Sequence, residues 1–242
     1  MASFFGEIIY PQSRAFWLRD DDDDEEIDEE NSLKIKLITN WTEPEPSEFE
    51  KFLIVDGEMM TGFVTRAILG GAKIICTIRC EDKKTSSKIY FINGLYICIV
   101  DKELNLAHAG QFTGAIAPLL SKSKSIIALT SDHMSYYKSE EGVSSASILN
   151  CLYSSKARNH KNLKVPTLSI PNFVTGVCAG VLSYSEIADL HCIMYILYTD
   201  TFTLDSKNAH PLLELFSDLL GKTLPNFVAG GSSFFNKGNL YM

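Results

Sequence analysis

Three short, uninterrupted apolar runs constrain this chain more than any other feature: Phe52-Leu53-Ile54-Val55, Ile126-Ile127-Ala128-Leu129, and residues 192–198, Cys-Ile-Met-Tyr-Ile-Leu-Tyr. A strand covered on one face alternates apolar and polar residues, whereas one covered on both faces reads as continuously apolar. Between the runs the period changes. Met59, Met60, Phe63, Val64, Ala67 and Ile68 repeat as one face of a helix, which Gly70-Gly71 stops. Residues 111–120 form a second helix. A third opens at Pro171-Asn172, with Phe173, Val174, Val177, Cys178, Val181 and Leu182 as its apolar face. Leu212, Leu213, Leu215, Phe216, Leu219 and Leu220 mark a last helix, with Pro211 in its first turn and Gly221 at its stop.

Further strands are expected near 33–38 and over 73–78, 88–92 and 95–100. Asn93-Gly94 joins the last two as a two-residue hairpin, because both central positions need positive φ. Residues 192–198 read as a central strand. Strands alternating with helices, plus one hairpin, give an α/β class: a three-layer α/β/α sandwich with a mixed sheet. Thr42-Glu43-Pro44-Glu45-Pro46-Ser47 is a loop, since its prolines and glutamates oppose regular structure.

The ends differ from this body. Residues 20–30 hold ten acidic side chains in eleven positions, broken only by Ile27, and setting those ten aside moves the net charge from −8 to +2. Ten neighbouring like charges repel, so 1–32 is expected to be a disordered arm. Residues 33–228 form one domain, within the size a single core supports. Residues 229–242, which begin Ala-Gly-Gly-Ser-Ser, read as a flexible tail.

Chemistry is scarce. There is no G-x-S-x-G elbow, no glycine-rich phosphate loop after a strand and no H-E-x-x-H pair. The six cysteines lack zinc-site spacing, and most sit in apolar segments as buried free thiols of a reducing compartment. We therefore expect no catalytic residues, no metal and no cofactor. Basic residues are dispersed and the acidic arm opposes a polyanion, so nucleic acid is not an expected partner. No apolar run reaches the roughly 18 residues of a membrane span, and the first residues lack the pattern of a secretory signal. The expected location is the cytoplasm, with the nucleus also open. An alternative reading is a small α/β hydrolase or phosphorylase-like enzyme, its site assembled from Asp132, His133 and Ser183.

The ending Asn239-Leu240-Tyr241-Met242 resembles the hydrophobic-Tyr-X tail that proteasome-binding proteins dock between alpha-ring subunits. A terminal carboxylate pairs with a lysine there, and the tyrosine supplies buried area and one hydroxyl. Residues 229–239 would tether this anchor over a root-mean-square span of roughly 18 Å. Phe4-Phe5-Gly6-Glu7, the acidic run, His133 with Tyr137-Lys138, and Val181-Leu182-Ser183-Tyr184 extend the resemblance. So do residues 193–200, Ile-Met-Tyr-Ile-Leu-Tyr-Thr-Asp, and Leu204-Asp205. Over 125–205 and at both termini the chain resembles the proteasome assembly chaperone 1 family.

That resemblance implies a non-enzymatic chaperone of the proteasome core particle. It would form a heterodimer with proteasome assembly chaperone 2, scaffold alpha-ring subunits, prevent off-pathway ring dimers and leave on maturation. A regulator of the mature proteasome with the same tail is a further alternative. Leu240, Tyr241 and Met242, with the paired aromatics Phe4 and Phe5, are the candidate partner-binding residues. The small residues Gly176, Ala179, Gly180 and Ser183 form a stripe that lets another element approach closely. They are the candidate dimer interface, ordinary packing within the chain being the other use of such a stripe.

Overall fold

The computed structural model describes residues 35–81, 85–139, 145–158, 165–201, 203–221, 223–224 and 227. The expectations for the acidic arm and the tail, and with them Phe4, Phe5, Leu240, Tyr241 and Met242, lie outside the described residues.

Among the described residues eight strands make one sheet: β1 (Leu37–Trp41), β2 (Phe49–Val55), β3 (Lys73–Cys80), β4 (Ser86–Ile92), β5 (Leu95–Ile99), β6 (Ser123–His133), β7 (Ser147–Tyr153) and β8 (Cys192–Thr199). Their spatial order is β1-β3-β4-β5-β2-β6-β8-β7. The inner strands β5, β2, β6 and β8 run parallel. The outer ones join antiparallel. Among the described residues four helices complete the layers: α1 (Glu58–Ala67), α2 (Ala109–Ser121), α3 (Val177–Ile187) and α4 (His210–Leu220).

The apolar runs become the centre of a three-layer sandwich. Phe52, Ile54, Ile126, Ala128, Met194 and Ile196 point to a core shared with α2 and α3. Their neighbours Leu53, Val55, Ile127, Leu129, Tyr195 and Leu197 point to a second core shared with α1 and α4. Successive residues therefore serve opposite faces, which is why none of them can be polar. The hairpin turn forms as expected, with Asn93 at φ 48° and Gly94 at φ 80°.

Three elements differ from expectation. The first strand begins at Leu37 and runs to Trp41, displaced from 33–38. Strand β7 was not expected at all: it pairs antiparallel with β8, so residues 192–198 lie second from the sheet edge, not at its centre. Helix α3 begins at Val177, six residues after Pro171. Gly176, at φ 90°, breaks the chain direction just before it, and Phe173 is 72% exposed where the helical pattern placed it in the core.

Candidate protein-interaction face

The C-terminal ends of the parallel strands are where open α/β sheets ordinarily bind small ligands, often an anion at a helix N-terminus. Here that position is filled from within the chain. Asp56, just past β2, accepts the Val177 N–H at the start of α3 through Oδ2 at 3.0 Å. Burial pushes the Asp56 carboxyl up from its ordinary value, against hydrogen bonds from the Val177, Gly57 and Cys178 backbones that lower it. A carboxylate already on this helix end repels a second anion.

The residues of the alternative enzyme reading are used structurally. Asp132 Oδ1 accepts the His133 backbone N–H at 2.8 Å. His133 Nδ1 in turn accepts the Ser135 N–H at 3.2 Å, capping a single turn over Met134–Tyr136. Ser183 is exposed in the middle of α3, without the strand-to-helix turn that projects a nucleophile. All six cysteines are buried and free. Burial raises the Cys98 and Cys192 thiols to about 12, far from the range of a reactive thiolate.

The surface carries a different signal. Tyr136, Ile170 and Phe173 are 66%, 94% and 72% exposed. They lie on two segments stitched together by one side chain. Asn172 accepts the Lys138 N–H at 2.7 Å and donates to the Lys138 carbonyl at 2.8 Å and the Ser169 carbonyl at 2.9 Å. The adjacent Tyr137 packs inward on Tyr198, with ring centroids 4.9 Å apart, and Tyr198 is itself buried. Large apolar side chains held outward by a satisfied backbone form the kind of patch that soluble monomers avoid and interfaces use. Sequence periodicity missed all three. The clue available was Asn172 between Pro171 and Phe173, a turn-forming residue where a helix start was assumed.

The small-residue stripe on α3 has mixed uses. A Cβ on Gly180 would sit 2.6 Å from Thr113 Oγ1, so this glycine lets α2 and α3 approach. A Cβ on Gly176 would sit 2.8 Å from Asp56 Oδ2. Ala179 is half-buried, while Ser183 is exposed and points along the same stripe to Ile187, itself 86% exposed. The inner half of the stripe is thus occupied by the chain, and the outer half is open.

A family model with the description Proteasome assembly chaperone 4 matches residues 92–228, more than half of the chain. The chain belongs to the proteasome assembly chaperone family. Among the family's curated members, mouse proteasome assembly chaperone 1 is 24% identical over an alignment spanning 98% of this chain and 95% of that protein. The Xenopus tropicalis proteasome assembly chaperone 1 is 26% identical over 85% of each. The fold is shared with Pyrococcus furiosus PbaA, an archaeal homolog of proteasome-assembly chaperone, at a TM-score of 0.59 and 17% identity over 76% of this chain and 82% of that one. Pyrococcus furiosus PbaB, an archaeal proteasome activator, superposes at 0.57 with 11% identity over 77% and 89%. Tyr136, Ile170 and Phe173 all fall inside the stretch matched by the chaperone family model.

Proposed function

We propose that this chain is a chaperone for assembly of the proteasome core particle that works by binding and release and transforms no substrate. It pairs with proteasome assembly chaperone 2, and the pair scaffolds alpha-ring subunits and prevents off-pathway ring dimers. The pair leaves as the core particle matures, in the cytoplasm and in the nucleus. Membership of the family supports the assembly role. The observation that carries the binding mechanism is the outward-held trio Tyr136, Ile170 and Phe173, together with the exposed Ser183 and Ile187 of α3.

We assign pairing with the sister chaperone to these exposed residues, including the exposed part of the Gly176, Ala179, Gly180 and Ser183 stripe. Grip on the alpha ring we assign to Leu240, Tyr241 and Met242, with Phe4 and Phe5 as a second contact. Aromatic anchors of this kind dominate interface energies when buried by a partner.

The test is co-purification from cells with identification of the bound chains, for the full chain and for a version ending at Asn239. Recovery of the sister chaperone with both, and of alpha subunits with the full chain only, is the expected result. Recovery of neither with the full chain ends the proposal. Comparing affinity for immature and mature core particles separates assembly from regulation of the finished particle.

A further inference from the structure

The sheet is sealed unequally at the end formed by β1, β3 and β4. On the side of α2 and α3, strands β3 and β4 bury Cys76, Ile78 and Ile89 to 2% exposure or less. On the side of α1 and α4 the same strands leave Ile74 42% exposed and Tyr90 and Ile92 half-buried. Pairing register sets Ile74 opposite Tyr90, Thr77 opposite Lys88 and Arg79 opposite Ser86, with Ile38 of β1 opposite Arg79. Directly opposed residues project to the same side of a sheet. Tyr90 and Ile92 pack against the core of α1 and α4, which places the whole set on that side. The irregularity between Ile74 and Cys76 turns both Ile75 and Cys76 to the other core and keeps Ile74 on this face.

This face is therefore apolar at one end (Ile74, Tyr90, Ile92) and basic at the other (Arg79, Lys88). The two ends are separated by about two residues, or roughly 7 Å, along the strands. Among the described residues, Lys36, Lys73, Lys122 and Lys124 each meet a carboxylate. Arg79 and Lys88 meet none within 4 Å among those same residues. An occupant that matches the face offers both apolar side chains and carboxylates. A second copy fits badly, because two-fold packing sets the cations against each other or against the apolar end. A helix fits well: α1 already covers β2 and β6 on this side, and a helix beside it continues that layer over β4 and β3. One turn rises about 5.4 Å, so carboxylates one to two turns from an apolar stripe reach the cations.

We infer that this face receives an acidic amphipathic helix of an alpha-ring subunit. The inference rests on the chaperone role proposed above. There the sister chaperone takes the surface along α3, on the opposite side of the sheet, which leaves the alpha ring as the client for this one. The face also precedes residue 92 almost entirely, outside the stretch matched by the family model, as suits a contact particular to this branch of the family.

The experiment measures binding of the full chain, paired with its sister chaperone, to each purified alpha-ring subunit from the same source. Wild type is compared with Arg79→Glu/Lys88→Glu and, separately, with Ile74→Asp. Both cations and Ile74 are exposed, and an unchanged thermal midpoint verifies folding. The expected result is a loss of about tenfold or more for one alpha subunit, in both variants, with pairing to the sister chaperone unchanged. Wild-type affinity for that subunit should fall with added salt, and the charge-reversed variant should lose most of that dependence. If wild type binds an alpha subunit and both variants bind it equally well, this inference fails while the chaperone role stands. If the variants lose self-association or the sister chaperone instead, the face belongs to another occupant and the inference is overturned. If wild type binds no alpha subunit, the chaperone role itself fails.

Discussion

The Asp56 carboxylate holds the first N–H of α3, on Val177, at 3.0 Å across 121 positions of sequence. This one bond ties the end of β2 to the start of the helix that leads to β8, and it occupies the position where a related fold would hold a ligand. The bond also explains the sharp entry into α3, since Gly176 at φ 90° must pass within reach of the same oxygen.

Replacing Asp56 separates its two effects. Asp56→Ala leaves the Val177 N–H without its acceptor and should cost about 1–2 kcal/mol, the usual penalty for a lost helix cap. Asp56→Asn keeps an acceptor and removes the charge. Burial raises the folded carboxyl above its ordinary value of 3.8, so the stability tied to its protonated form is complete below that value. It is lost as pH rises through the higher folded value. Thermal midpoints measured from acid to neutral pH should therefore show Asp56→Asn gaining on wild type as pH rises. A constant difference across that range would contradict the assignment.

Gly180 and Thr113 should be energetically coupled. Thr113 is buried, and its hydroxyl donates to the Ala109 carbonyl at 2.8 Å. A methyl on Gly180 would meet that hydroxyl oxygen at 2.6 Å. Gly180→Ala alone should destabilise by about 1–3 kcal/mol through forced separation of α2 and α3. In a Thr113→Ala background the same change should cost much less. Urea titration of the four proteins gives the coupling energy, expected at about 1 kcal/mol or more.

Exposed anchors can be removed without unfolding the chain. Ile170→Ser and Phe173→Ser should each shift stability by no more than about 0.5 kcal/mol, as surface changes do. Each should weaken pairing with the sister chaperone by about tenfold, the signature of an interface anchor. Sedimentation of the mixed chains reads the second quantity and thermal unfolding the first. Unchanged pairing in the double variant would remove this patch from the interface.

The thiols should be silent until the sheet opens. Cys76, Cys98 and Cys192 are raised to about 11, 12 and 12, chiefly by burial, and all six cysteines are buried. A chromogenic disulfide reagent at pH 8 should react slowly with the folded protein, at a rate that follows unfolding. All six should react at once in denaturant. A fast native thiol would show that part of the sheet opens locally.

Residues 52–55, 126–129 and 192–198 announced the doubly covered sheet by themselves, because burial on both faces leaves no room for a polar residue at any position. The Asn93-Gly94 turn, α1 and α4 were equally legible, since their signals are local: two positive φ angles in one case and a 3.6-residue period in the others. β7 was not legible. Its sequence, Ser-Ile-Leu-Asn-Cys-Leu-Tyr, has no clean period, and it is a strand because β8 offers an edge on one side and residues 166–168 bond Cys151 on the other.

The interaction face shows the same division. Family resemblance was carried by residues along the chain, and that needed no coordinates. Tyr136, Ile170 and Phe173 become a surface only through Asn172 reaching Lys138, 34 positions away, whereas spacing alone puts Phe173 in a core. Local spacing determines which residues could share a helix or strand face. Whether that face meets protein or water depends on contacts between distant segments, and those exist only once the sheet is assembled.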